Sequence, residues 1–274
     1  KKTMMAAAGA GGGGLDVDEV FSTYLYTGTG STQTFSNGID LAGEGGLVWM
    51  KARNNQQNNW WYDSERSSFA AGLRSDTTAN EYNPGTAVTS VSSSGFTLGT
   101  YGEINQSTID YTSWTFRKAP KFFDVVTYTG NGVNGRTISH DLGCDVGMVI
   151  VKQTNTSRDW FVWHKGIGNG WAKLNSTDAA SPNGYQIWGL DDGTNTYVAP
   201  TSSVVTISGD TACNQSGGSY VMYLFAHNDG DGEFGADGDA DIIKCGSYTG
   251  NGGVQHIDLG FEPQFLITKI TNTG

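Results

Sequence analysis

Six carboxylates fall within one short run: Asp229, Asp231, Glu233, Asp237, Asp239 and Asp241, spaced by Gly230, Gly232, Gly235 and Gly238. An oxygen-rich, glycine-flexible loop is what Ca²⁺ needs, since it takes roughly six to eight hard oxygen ligands. The EF-hand order is absent, because Glu233 and Phe234 follow Asp229 and Asp231 without the required glycine. The run therefore reads as a solvated acidic spacer or as a Ca²⁺ loop, and nothing else in the chain asks for a cofactor. A second chemistry is offered by the aromatics Trp60, Trp61, Tyr62, Trp160, Trp163, Trp171 and Trp188. Strand alternation sends about half of such residues into a core. Trp171 and Trp188, beside Gly170 and Gly189, read as loop platforms on which sugar rings of host-surface glycans could stack.

Catalysis finds no footing. A glycosidase needs two carboxylates about 5–10 Å apart, and Glu44, Glu65 and Glu103 sit in separate turn-like contexts. His164 has no neighbouring serine or cysteine motif to serve as a base, and His140, His227 and His256 stand equally alone. Neither a nucleophile elbow nor a phosphate loop is present. The chain reads as a non-enzyme.

The elements that carry these residues are set by a repeated phrase. Tyr26-Thr27-Gly28-Thr29-Gly30 returns as Tyr128-Thr129-Gly130-Asn131-Gly132 and as Tyr248-Thr249-Gly250-Asn251-Gly252. Each copy leads to a Leu-Ala or Leu-Gly step (Leu41, Leu142, Leu259) and then to an apolar run closed by a lysine, Lys51, Lys152 or Lys269. Three landmarks in one order make a duplication. The spacing is too long for a solenoid and suits small domains. Glycine is abundant (40 residues), charged residues make up only 16%, and Pro is scarce. That composition suits short strands and many tight turns. The predicted fold is all-β: tandem antiparallel β-sandwich modules of jelly-roll or concanavalin-like type. Residues 20–121 form module 1, 122–228 module 2, 229–243 an acidic Gly/Asp linker and 244–274 the start of a third module.

Within module 1, Leu47–Met50 reads as a strand covered on both faces and Trp60-Trp61-Tyr62 as its hairpin return. Met148–Lys152 and Trp160–Trp163 repeat this in module 2, and Ile109–Phe116 and Tyr220–Phe225 are the closing strands. The only helix-like stretch is Glu65–Arg74, worth a turn or two. In the third module the strand Phe265–Ile270 would lack its hairpin partner. The expectation is a longer polypeptide or a neighbouring chain that supplies one. Residues 1–19 read as a flexible Ala/Gly-rich tail, with Lys1, Lys2, Met4, Met5, Ala6, Ala7 and Ala8 as the residues that dock into a partner.

The net charge of −11 argues against nucleic acid and anionic membranes as partners. No apolar stretch approaches the roughly 20 residues of a membrane span. Cys144, Cys213 and Cys245 have no metal-ligand spacing and cannot close a disulfide framework.

The phrases YTGNG, SWTFRKAPKFFDVVTYTGNG (113–132) and DGDADIIKCGSYTGNG (237–252), with the KKTMMAAAGAG start, resemble repeat-bearing virion proteins of tailed bacteriophages, marine ones especially. The resemblance covers essentially the whole chain. It implies concanavalin-like modules in a virion appendage assembled in the host cytoplasm. The expected role is the virion-anchored base of a tail fibre used in host attachment. It would contact other virion proteins (tail, portal or capsid) and assemble as a homotrimer. A capsid decoration or collar protein and a glycan-binding module are the alternatives.

Overall fold

The computed structural model describes residues 13–272. It is built from antiparallel β-strands, with helix limited to single turns such as Val17–Val20, Gly102–Asn105 and Thr211–Asn214. The first half contains β1 (Phe21–Thr27), β2 (Gln33–Ser36), β3 (Gly46–Ala52), β4 (Trp60–Asp63), β5 (Gly72–Arg74), β6 (Val88–Ser92), β7 (Gly95–Leu98) and β8 (Asp110–Arg117). The second contains β9 (Phe123–Thr129), β10 (Arg136–Ser139), β11 (Val146–Gln153), β12 (Trp160–His164), β13 (Ala172–Lys173), β14 (Gly189–Leu190), β15 (Thr196–Tyr197), β16 (Val204–Ile207) and β17 (Ser219–Ala226).

The duplication reappears as topology. The large sheet of the first half runs β1-β8-β3-β4-β5, and that of the second runs β9-β17-β11-β12-β13. These are the same order, strand for strand. A small sheet covers each: β2-β7-β6 in the first half and β10-β16 in the second. In both, the closing strand lies between the opening strand and the apolar one, so each large sheet is complete only when the last strand of its repeat arrives.

The two sandwiches are not separate beads. On β3, Val48, Met50 and Ala52 point toward the small sheet and pack with Phe35, Phe96 and Leu98. The alternate residue Leu47, with Trp61, Phe116 and Leu73, joins Phe123, Val125, Ile150, Tyr223 and Phe225 of the second half in one shared core. Phe116 meets Phe225 edge to face at 5.5 Å, and Trp61 meets Tyr223 at 4.9 Å and Trp160 at 5.2 Å. The large sheets therefore bury their outer faces against each other, and this is why their apolar runs carry hydrophobic residues at consecutive positions rather than alternate ones. Each such aromatic pair adds about 0.5–1.5 kcal/mol beyond its area.

Three expectations are corrected here. The stretch Glu65–Arg74 is not a helix: it is a 3₁₀ turn at Ser67–Phe69 followed by β5. Ser67, Ser68 and Phe69 all have positive φ (49°, 48° and 67°), a backbone that no α-helix can accept. The acidic run is not a free spacer: Phe234 within it is 2% exposed, packs on Phe122 at 6.3 Å and bridges to Leu15. Phe265–Ile270 carries no strand ladder. The two strands that would flank it, a closing strand and a hairpin return, are not among the described residues, and a lone strand in water is unstable.

Candidate functional site

The repeated phrase turns out to be structural, and its geometry is copied between the halves. Tyr26 of β1 stacks on Tyr111 of β8 at 5.1 Å and 11°, and Tyr128 of β9 stacks on Tyr220 of β17 at 5.0 Å and 7°. The Tyr26 and Tyr128 hydroxyls donate to the carbonyls of Ile104 and Cys213 in the one-turn helices, at 2.7 and 2.6 Å. A Cβ on Gly28 or Gly130 would lie 2.2 or 2.1 Å from the carbonyl oxygen of Gln106 or Gln215, so only glycine fits. The phrase closes on a fully buried asparagine in each half. Asn105 Oδ1 accepts from Thr29 N (2.9 Å), and its amide donates to Ser31 and Gly99 carbonyls (both 2.7 Å). Asn214 Oδ1 accepts from Asn131 N (2.9 Å), and its amide donates to Val133 and Ser208 carbonyls (2.8 and 3.0 Å). Sequence reasoning missed both asparagines. The available signal was an Asn six residues before the closing-strand tyrosine in each half.

The lysine that ends the apolar run is used between repeats in its second and third copies, whereas Lys51 bonds within its own repeat, to the Gln57 carbonyl. Lys152 is fully buried, and its ammonium donates to the carbonyls of Thr78 (3.1 Å), in the first half, and Arg158 (2.9 Å). Two residues on, the Thr154 carbonyl accepts from Glu81 N at 2.8 Å. The third repeat does the same to the second: Lys269 Nζ donates to Ser176 O at 2.7 Å, and the Thr271 carbonyl accepts from Ala180 N at 2.9 Å. Burial lowers the Lys152 pKa to about 8.

Where the halves meet, a polar cleft of about 500 Å³ opens, lined by Glu65, Arg66, Ser67, Glu81, Thr127, Tyr128, Thr129, Thr154, Ser219 and Tyr220. Its floor is ionic. Arg66 binds Asp63 through Nε and Nη2 at 2.8 and 2.6 Å, and reaches Glu81 at 3.2 Å. Tyr223, from the second half, donates its hydroxyl to the same Asp63 oxygen at 2.7 Å. Burial opposes the Arg66 charge, but the Asp63 carboxylate more than restores it, so the guanidinium stays charged above its ordinary range. The lip is the left-handed Ser67–Phe69 turn, and strain of this kind gathers at ligand clamps as well as at structural locks. Hydroxyls, two carboxylates and a fixed cation make this cleft a hydrogen-bonding surface. It contains no nucleophile paired with a base.

The sequence-derived site residues land as follows. Trp188 is a correction: it is completely buried in the core of the second sandwich and presents no face to a sugar. Gly189 beside it pairs with Tyr197 in a two-stranded ladder and lets the Thr196 carbonyl approach closely, so it marks a tight pairing and not an exposed loop. Trp171 is half-buried, packed edge to face on Phe161 at 5.4 Å, and paired to Ser181 through the backbone. The six carboxylates of the acidic run do not converge on one point. Among the described residues no group of three or more His, Cys, Asp or Glu side chains could hold a metal ion. Asp241 accepts from the Gly230 and Gly232 amides at 2.7 and 2.9 Å, and Asp231 accepts from Asp229 N. Asp229 pairs with Lys244 at 3.0 Å and Glu233 with Lys121 at 2.7 Å. Asp237 and Asp239 join none of these contacts. These carboxylates fold a loop rather than enclose a cation. The residues Lys1, Lys2, Met4, Met5, Ala6, Ala7 and Ala8 lie outside the described residues. Burial pushes the thiols of Cys144, Cys213 and Cys245 up to about 11, 12 and 12, so none is poised as a nucleophile. Among the described residues no helix is long and apolar enough to cross a membrane.

The fold and this repeated lock define a tandem β-sandwich repeat protein. The chain matches, over residues 16–274, the model of the family described as Domain of unknown function (DUF7483), and it belongs to that family. Comparison with curated proteins and comparison with solved structures each return no match.

Proposed function

We propose that this chain is a structural repeat protein of a bacteriophage virion, the anchored portion of a tail fibre or a similar host-attachment appendage. One observation carries the reading. The same lock, a lysine ammonium and a threonine carbonyl seated on the loop of the preceding repeat, is used between repeats one and two and again between two and three. A device that joins each repeat to the last builds length and stiffness, which an appendage needs and an enzyme does not. The resemblance of the repeated phrases to tailed-phage virion proteins supplies the setting. In that setting the Ala/Gly-rich segment at the start of the chain docks into other virion proteins, and three copies assemble side by side.

Quantitative mass spectrometry of purified particles tests this. The protein is expected at a small fixed multiple per particle, and deletion of residues 1–14 is expected to remove it. Absence from particles, or unchanged incorporation of the deletion, counts against the reading.

A second role rests on the cleft between the halves. Its hydroxyl lining, the Glu65 and Glu81 carboxylates and the fixed Arg66 cation suit a polyhydroxylated ligand such as a host glycan. Many copies in one particle would make weak contacts effective through avidity. A glycan array compared with an Arg66→Lys variant tests it, and no binding by either protein would remove the role.

A further inference from the structure

Equivalent positions of the two large sheets carry different chemistry at the junction with the next repeat. In the first half Asp63 ends β4 opposite Leu47, and Lys118 follows directly on β8. Asp63 holds Arg66 and Tyr223, and Lys118 holds Glu65 and Asp124. In the second half His164 ends β12 opposite Met148, and His227 follows directly on β17. Charges that are fixed at neutral pH are thus replaced by two groups that titrate close to it.

The two histidines grip the chain where it leaves the second repeat. Cys245 N donates to His227 Nδ1 at 3.1 Å, and Gly166 N donates to His164 Nδ1 at 3.0 Å. Gly166 is itself part of the seat: a Cβ there would lie 2.9 Å from Ser247 Cβ and 3.1 Å from Gly246 O. A Cβ on Gly147 would lie 2.5 Å from Cys245 Sγ. Asn228 adds three bonds, its N–H donating to Ile243 O (2.9 Å) and its Oδ1 accepting from Ile242 N (3.1 Å) and Ile243 N (3.3 Å). A backbone amide can only donate, so each Nδ1 must offer a lone pair and each ring must keep its one proton on Nε2. A second proton on either ring would set two donors face to face.

The surroundings oppose that second proton. Burial disfavours the His227 charge most, Lys165 and Lys244 add repulsion, and Asp229 and Asp145 only partly offset them. His164 is disfavoured by burial and then by His227. The thiols of Cys144 and Cys245, pushed up to about 11 and 12, stay neutral in this range. Both imidazoles therefore sit below their ordinary 6.5 when the segment is seated. The released state takes up protons more readily, so the contact weakens as pH falls below 6.5. Its hydrogen bonds with Lys244 hold Asp229 below the usual carboxylate range, so their 3.0 Å pair persists meanwhile.

We infer that His164 and His227 form an acid-released latch: neutral, they hold segment 242–247 on the second repeat, and protonated together they let it go while both sandwiches stay folded. The first junction, built on Asp63, Arg66 and Lys118, stays closed over the same range. The latch requires nothing of the virion reading, because hydrogen-bond direction and the equivalence of the two junctions carry it.

Hydrogen exchange of the whole chain, followed by mass spectrometry and corrected for intrinsic rates, tests the latch between about pH 7.5 and about pH 5. Protection at 242–247 is expected to fall at least about tenfold, with β3, β8, β11 and β17 unchanged. His164→Asn with His227→Asn keeps an acceptor oxygen in the Nδ1 place and takes no proton. This double variant should hold its protection at both pH values. The parent chain alone also decides the matter, through the midpoint of the loss. A midpoint below 6.5 but above the carboxylate range, about 4, is expected. Unchanged protection at about pH 5, a midpoint near 4, or loss in β11 and β17 together with 242–247 overturns the proposal. So does an equal loss in the double variant.

Discussion

The second and third repeats begin with nearly the same words and reach different ends. Both seat a lysine and a threonine on the loop of the repeat before them. Among the described residues only the second is followed by its closing strand, and with it come a laddered sheet, a stacked tyrosine pair and a buried core. The third has the lock and an aromatic anchor at Phe265, but no ladder. The difference separates two functions that one apolar run performs. One face docks on the preceding repeats, which needs side chains and a single backbone hydrogen bond. The other face builds a sandwich, which needs the middle strand. Docking is therefore local and sandwich formation is not.

The comparison is broken most sharply at the ionic floor, which among the described residues exists at the first junction only. Arg66→Met strands Asp63 at 0% exposure without its cation, and this should cost about 3–5 kcal/mol in urea unfolding. A loss below 1 kcal/mol would mean that the junction is not held there. The equivalent positions of the second half are His164 and Ile167, so no comparable substitution exists at the second junction.

The two buried asparagines come next. Asn105→Ala and Asn214→Ala each remove one acceptor and two donors, leaving the buried Gly99 or Ser208 carbonyl without this donor, and each should cost about 1–3 kcal/mol. Near-equal losses are the signature of a duplicated lock, and a large inequality would show that the copies have diverged in role. Smaller still, Lys152→Met should cost about 1–2 kcal/mol because the Arg158 carbonyl loses its lysine donor, whereas the Thr78 carbonyl keeps Arg158 N at 2.8 Å and the Ser157 hydroxyl at 3.1 Å. Lys269→Met, at an exposed site, should cost under about 0.5 kcal/mol.

The smallest effect is in pH. The folded Lys152 pKa, about 8, lies below its ordinary 10.5, so between those values the unfolded chain holds the extra proton and stability rises with pH. Burial raises the pKa of Tyr26, Tyr62, Tyr128 and Tyr223 well above 10, so beyond about pH 10 the unfolded chain holds fewer protons and stability falls. The thiols of Cys144, Cys213 and Cys245, raised from 9 to about 11, 12 and 12, act in the same direction as the tyrosines from about pH 9 upward and oppose the Lys152 rise. Thermal melts should therefore fall above about pH 9, and more steeply in Lys152→Met than in the parent chain.

Much of this was legible in the residues. The phrase, the leucine step and the lysine announced a duplication, and consecutive apolar residues announced strands covered on both faces. What covered the second face was not legible, because Leu47 and Ile150 meet partners across the junction between the halves. Trp188 was misread for a local reason: Gly189 signals a turn in sequence, but here it lets Thr196 approach closely over a buried ring. The acidic run was misread in a similar way, since its carboxylates are spent on backbone amides and nearby lysines. Asn105 and Asn214 escaped notice because asparagine is common in this chain and only the contacts distinguish these two.

The central claim is that the first two repeats are one folding unit around a shared core. Differential scanning calorimetry of the whole chain tests it most directly. One transition is expected across 15–243, with equal calorimetric and van't Hoff enthalpies, and Arg66→Met should shift all of it downward. Two separable transitions, with only the first moved by Arg66→Met, would contradict the shared core.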